Sequence, residues 1–160
     1  MEKKTLRFNY LTLKKDELII DDGDFSNSLF FLKEGKLAIR CEANEVSVNS
    51  EEMFFLPQNM RCEIKALEKS QILVYNNLDL SEIYSLFSDD ELKNINDGGA
   101  SIINSLKMVG SIVRFVNLMI LYIEDDLLNE YILTIKQREV LILIQQLYTK
   151  EQLSSLFNIK

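Results

Sequence analysis

The chain has 160 residues, 47% of them hydrophobic, enough to fold as one compact unit or two closely packed subdomains, which excludes disorder. Its 18 basic and 25 acidic residues give a net charge of -7, and so acidic a surface repels phosphate backbones, leaving any contact with DNA to another domain. Histidine is absent, which removes the commonest general base, the commonest transition-metal ligand and every imidazole-dependent triad.

Met1 to Lys15 reads as a mixed polar strand segment with Leu6, Phe8 and Tyr10 alternating, not as a cleavable leader, so secretion is not expected. From Leu6 to about Asn77 short apolar runs are separated by turn-like clusters: Asp21-Asp22-Gly23-Asp24, Glu34-Gly35-Lys36 and Glu42-Ala43-Asn44. That spacing predicts a β-sandwich or barrel. Leu29 to Leu32 and Leu37 to Cys41 flank Glu34-Gly35-Lys36, where glycine can supply a positive φ, and a β-hairpin is predicted there. Leu37, Ile39 and Cys41 alternate with Ala38, Arg40 and Glu42, giving one apolar and one solvated face, and Val46 and Val48 continue the inner surface. Met53 to Leu56 forms a strand ended by Pro57, the single proline. Cys62, Ile64 and Ala66 point inward by the same alternation, and Gln71 to Tyr75 makes the last strand.

After Leu78 the period becomes helical, starting at Ser81 with Glu82, Ile83, Leu86 and Phe87, and broken at Asp97-Gly98-Gly99. A long helix is predicted from about Ala100 to Tyr122 and a second from about Leu127 to Tyr148, with an interruption considered near Leu133-Thr134. A short final helix opens with Thr149 as N-cap. Met108 to Ile123 is the most apolar stretch, but Arg114 and Asn117 interrupt it and it falls short of the roughly 20 residues a membrane span needs. The consecutive Val140, Leu141, Ile142, Leu143 and Ile144 cover a whole helix circumference, so a bundle interior or a partner must cover the surplus. The expected class is α+β: a β-domain over 1–78 and a helical bundle over 79–160.

The segment Phe30-Phe31-Leu32-Lys33-Glu34-Gly35-Lys36-Leu37 through Met53-Phe54-Phe55-Leu56-Pro57 resembles the cupin double-strand signature. The cupin pattern would set its metal-binding histidines near Asp22 and Asp24, its glutamate at Ser28 and its last histidine at Cys62; only Gly35 and Pro57 match. Two carboxylates with one thiolate suit no single metal well, so a cupin-like shell without metal or other cofactor is expected. Ile135 to Ile144 with Leu147 to Leu153 resembles the linker region of AraC-type transcription regulators, and Glu52 to Pro57 with Cys62 to Ser70 resembles their sensor domain. The resemblance implies a cytoplasmic, non-catalytic, ligand-sensing and dimerising domain, with the DNA-binding helix-turn-helix domain lying outside this chain.

The candidate ligand-binding residues are Ile39, Cys41, Val48, Cys62, Ile64 and Tyr75, facing a barrel interior that would suit a small organic effector. Alternatively these side chains simply fill the core. Val140, Leu143, Ile144 and Leu147, at i, i+3, i+4 and i+7, fit a homodimer helix interface, or equally packing against the chain's own preceding helix. Cys41 and Cys62 could form a thiol switch, but they read rather as inert core cysteines, because Arg40 and Arg61 lie on the opposite strand face and nothing else nearby would lower a thiol pKa. The acidic turn around Asp22 reads as solvated and not as a calcium loop. A cyclic-nucleotide β-roll sensor shares this plan, but its phosphate-binding glycine-glutamate and arginine segment is missing. A pure dimerisation module would have a filled barrel. A catalytic cupin would need metal ligands or an acid-base pair converging on an interior that reads as apolar, so no enzyme is expected.

Overall fold

The computed structural model describes residues 7–21, 27–42, 44–58, 60–87 and 102–158. The expected solvated turn at Asp22-Gly23-Asp24 and the break at Asp97-Gly98-Gly99 lie outside the described residues, as does Ala43 in its turn. In chain order the described elements are β1 (Phe8–Leu13), β2 (Leu18–Asp21), β3 (Ser28–Glu34), β4 (Lys36–Cys41), β5 (Glu45–Asn49), β6 (Glu52–Leu56), β7 (Cys62–Ala66), β8 (Ser70–Tyr75), α1 (Leu80–Tyr84), β9 (Ser105–Lys107), α2 (Gly110–Glu124), α3 (Glu130–Leu147) and α4 (Lys150–Phe157).

The strands form two antiparallel sheets, one ordered β1-β8-β3-β6-β9 and the other β2-β7-β4-β5. Their different surroundings explain two different sequence patterns. In the four-stranded sheet β4 and β7 alternate, with Leu37, Ile39, Ile64 and Ala66 buried while Arg40 and Lys65 face solvent, as a sheet covered on one side requires. In the five-stranded sheet the centre of each of β3, β6 and β8 is an unbroken apolar run, because both faces are covered. Phe30, Phe54, Ile72 and Val74 point between the sheets, and Phe30 stacks on Phe54 with centroids 4.8 Å apart. Leu29, Phe31, Met53, Phe55, Leu73 and Tyr75 point the other way, beneath the helices.

The predicted hairpin at Glu34-Gly35-Lys36 is not formed. β3 pairs with β6 and β8, whereas β4 pairs with β5 and β7, so the glycine turns the chain from one sheet into the other. A register shift between Leu32 and Glu34 bends β3 into this corner. Gly35 has φ +114°, and the Ser50 hydroxyl holds it by accepting from its N–H (2.9 Å) and donating to its carbonyl (3.0 Å). Local spacing predicts a turn correctly but cannot say whether the next strand pairs with the last or stacks over it.

The second correction concerns the helix expected from Ala100. Ser105–Lys107 is instead a strand paired with Glu52–Phe54, and Met108 N–H donates to Glu51 O (2.7 Å), so helix begins only at Gly110. The free edge of β6 offers ladder partners that outweigh local helical spacing. α3 runs without interruption through Leu133 and Thr134. α4 opens at Thr149 as predicted, in a capping box: Thr149 accepts from Gln152 N–H (3.2 Å) and the Gln152 side chain accepts from Thr149 N–H (2.9 Å). The helices lie on the five-stranded sheet, with α2 packing against β1, β3, β8 and α3, so the fold is a two-sheet β-sandwich followed by C-terminal helices.

Candidate functional site

Five of the six candidate ligand residues come together. Ile39, Cys41, Val48, Cys62 and Ile64 share the apolar cluster between the sheets, but Phe30, Phe54, Leu56 and Ile72 interdigitate with them. That interior is packed by its own side chains. Tyr75 does not face it: β8 alternates, so Ile72 and Val74 point between the sheets while Leu73 and Tyr75 point to the helical side.

Tyr75 instead belongs to a polar network joining β1, β8, α1 and α3. Its hydroxyl donates to Glu82 (2.9 Å), and Arg7 donates to the other Glu82 oxygen (2.6 Å), to Asn77 O (2.8 Å) and to Gln137 of α3 (3.3 Å). Burial alone would raise the Glu82 carboxyl, but hydrogen bonds from Arg7, Tyr75 and the Asp79 N–H outweigh it and hold the group below its ordinary value. Burial and the adjoining Glu82 carboxylate push the Tyr75 phenol up. A depressed carboxylate adds stability that is full above its unfolded-state pKa and lost as pH falls through the folded one. Glu82→Gln is therefore expected to cost about 1–2 kcal/mol at neutral pH and to flatten the acid limb of stability against pH, as read by urea unfolding from pH 7 down to pH 3.

A cleft of about 720 Å³ opens elsewhere, between β9, the first turn of α2 and the junction of α3 with α4. Such a volume suits a small organic ligand. Leu106, Val109, Val113 and Leu147 give it apolar walls, Lys107 and Arg114 bring two cations to it, and Glu51 brings one carboxylate. Tyr148 fixes the cleft's shape: its buried hydroxyl donates to Lys107 O (2.9 Å) and accepts from Val109 N–H (3.0 Å), tying the end of α3 to the start of α2. Burial raises this phenol, so it stays protonated and the tie is insensitive to neutral pH. Val109, the N-cap of α2, has no side-chain oxygen, and its backbone carbonyl accepts from the N–H groups of Ile112 (2.9 Å) and Val113 (3.1 Å).

Sequence reasoning missed this cleft because it ran one helix through residues 100–122. The available signal was Gly110, a glycine inside an apolar helical pattern with Arg114 one turn beyond it.

Of the four candidate interface residues, Val140 and Ile144 are fully buried in the chain's own core and Leu143 packs against the same cluster. They serve the intrachain packing that was the alternative reading. Leu147 is partly exposed and lines the cleft. Besides Leu147, the large apolar side chains that α3 leaves most exposed are Tyr131, Ile135 and Ile142, by 83%, 63% and 57%, spaced by four and seven residues on one face.

Among the described residues no group of three or more cysteine, aspartate or glutamate side chains converges as a metal site, and no helix is long and apolar enough to cross a membrane. No protein-family model matches the chain, and a comparison with curated proteins gives no match. Solved structures do match. ToxT from Vibrio cholerae O395, bound to (E)-4-(8-methylnaphthalen-1-yl)but-3-enoic acid, superposes with a TM-score of 0.65 at 12% identity, over 98% of this chain and 59% of that one. A second ToxT structure from Vibrio cholerae gives 0.55 at 16% identity, over 72% of this chain and 47% of that one. The chain thus shares the fold of the part of ToxT that it covers. It spans 59% or less of the length of the ToxT chains it matches. A cupin superfamily protein from Desulfitobacterium hafniense DCB-2 is also similar, at 12% identity and a TM-score of 0.40, over 49% of this chain and 84% of that one. Both halves of this chain are included in the ToxT superposition, which covers 98% of it.

Proposed function

We propose that this chain is the ligand-sensing and dimerising part of a cytoplasmic AraC-type transcription regulator, with DNA read by a helix-turn-helix domain outside it. It performs no reaction. A small organic acid is the effector, and its site is the cleft between β9, α2 and the α3–α4 junction. One observation carries the reading: this cleft combines apolar walls with two cations, Lys107 and Arg114, against the single carboxylate of Glu51, a balance that retains an apolar carboxylate. The ToxT structure bound to an aryl-substituted butenoic acid lends support by analogy of fold. An acid seated there presses on the C-terminal end of α3, because Leu147 and Tyr148 form one wall, and the helix leads back to the Tyr131, Ile135 and Ile142 face, where a second copy of the chain docks. Differential binding to two settings of that helix would respace two DNA-binding domains on their half-sites.

Isothermal titration of aryl-substituted and long-chain carboxylic acids into the chain tests the effector. Binding is expected, weakened about tenfold or more in a Lys107→Glu, Arg114→Glu variant, since each lost charge-assisted contact is worth about 1.5–3 kcal/mol. Light scattering on the same samples should give a dimer that Ile135→Glu with Ile142→Glu splits. No binding by any acid would remove the effector assignment, and a monomer at all concentrations would remove dimerisation.

A further inference from the structure

Cys41 closes β4 and Cys62 opens β7, and the two stand directly opposite each other across the strand pair. Cys41 N–H donates to Asn44 O (2.9 Å), on the side of β5. A residue in an antiparallel strand turns its N–H and C=O to the same neighbour, so towards β7 Cys41 is in the non-hydrogen-bonded kind of pair. There opposed Cα atoms approach to about 4.5 Å, inside the range a disulfide tolerates. The two Sγ atoms lie 2.8 Å apart, and no disulfide joins them. Closing to the roughly 2.05 Å of an S–S bond takes less than an ångström of movement, which small χ1 adjustments supply without shifting either strand.

We propose that Cys41 and Cys62 are a redox modification site, closing to an intrachain cross-strand disulfide in the presence of a peroxide and reopening with a dithiol. The Cys41 thiolate attacks a peroxide oxygen, breaking the O–O bond and releasing hydroxide, which takes up a proton to leave as water, and Cys41 becomes a sulfenic acid. The Cys62 sulfur then attacks the Cys41 sulfur, forming the S–S bond and expelling the hydroxyl with the Cys62 proton as a second water. In sum two thiols lose two electrons to one peroxide. Cys41 is the side of entry because it retains 8% exposure against 1% for Cys62. Burial pushes its thiol up, with the Cys62 hydrogen bond working against that, so oxidation is slower than that of a low-pKa peroxidatic thiol.

This reading departs from that of inert core cysteines, because the proximity of the two sulfurs takes over the role of activation. The bridge would pin the end of β4 to the start of β7. Next to it the Asn44 side chain bonds both the N–H and the carbonyl of Ile103, two residues before β9, so the bridge and the segment leading into β9 share one anchor.

The test is peptide mass mapping of the full chain under non-reducing conditions, before and after hydrogen peroxide, with thiols counted in denaturant. Two thiols are expected before and none after, with a Cys41–Cys62 linked peptide lighter by two hydrogens, and both thiols back after dithiothreitol. Persistence of both thiols through prolonged peroxide, Cys41 oxidised to sulfinic acid beside a reduced Cys62, or disulfides only between chains would each overturn the proposal. The measurement needs no variant, so it does not depend on whether a substituted core still folds.

Discussion

Gly35→Ala is expected to lower the melting temperature by on the order of 10 °C, an unusually large effect for adding one methyl group. A Cβ at Gly35 would lie 2.2 Å from Ser70 Oγ, 2.7 Å from Lys69 O and 2.7 Å from Ser70 Cα. The serine hydroxyl could turn away only by giving up its bonds to Lys36 N–H (3.3 Å) and Glu68 O (2.9 Å), and the other two atoms are backbone. At φ +114° the new side chain is strained whatever space it finds. Strain of about 1–3 kcal/mol and overpacking of about 1–3 kcal/mol exceed the fraction of a kcal/mol gained by stiffening the unfolded chain. Thermal unfolding followed by circular dichroism reads the result. A fall of only a degree or two would mean that the corner between the sheets relaxes and that its geometry is not what fixes β3 over β4.

Phe30→Ala should cost about 3–5 kcal/mol, the range for removing a buried aromatic ring. Phe30 is fully buried between the sheets and its ring stacks on Phe54 with planes within 7° of parallel. The cavity left behind would be lined by Ile, Leu, Val and Phe side chains, and apolar cavities of this kind stay dry and accept benzene-sized guests. Benzene is therefore expected to raise the melting temperature of the variant and leave the parent unchanged, by linkage of binding to folding. An equal rise in both proteins would mean that the natural sandwich already holds space for a guest, and would return the effector site to the barrel interior.

How far the sequence reveals this molecule depends on the range of the interaction in question. Alternation in Leu37, Ile39 and Cys41 and in Cys62, Ile64 and Ala66 identifies strands with one solvated face, and Thr149 with Gln152 identifies a helix start, because both signals are local. The pairing of β3 with β6 and β8 instead of β4 is not local. Two continuous apolar runs, Leu29 to Leu32 and Met53 to Leu56, hold a clue to it, since a strand buried on both faces has no polar side to alternate with. β9 was hidden because three residues that pair with a distant edge carry no periodicity of their own. The candidate site suffers from the same limit: Lys107, Arg114, Leu147 and Tyr148 are up to 41 positions apart in sequence and meet only once β9 has displaced the start of the predicted helix. Residues assigned from alternation alone, Ile39, Val48 and Ile64, were correctly placed inward, but an inward side chain can fill a space as readily as line one.

The three residues of β9 also decide how the molecule avoids its neighbours. The far edge of β6 carries Met53 and Phe54, both buried, and Ser105–Lys107 occupies its backbone donors and acceptors. A chain ending near residue 78 would leave that edge open beside an uncovered apolar sheet face, the arrangement by which strands of different molecules add to one another into aggregates. The helical half thus supplies the cover for an edge of the sandwich, and a chain lacking the residues past 104 is expected to aggregate more readily than the whole one.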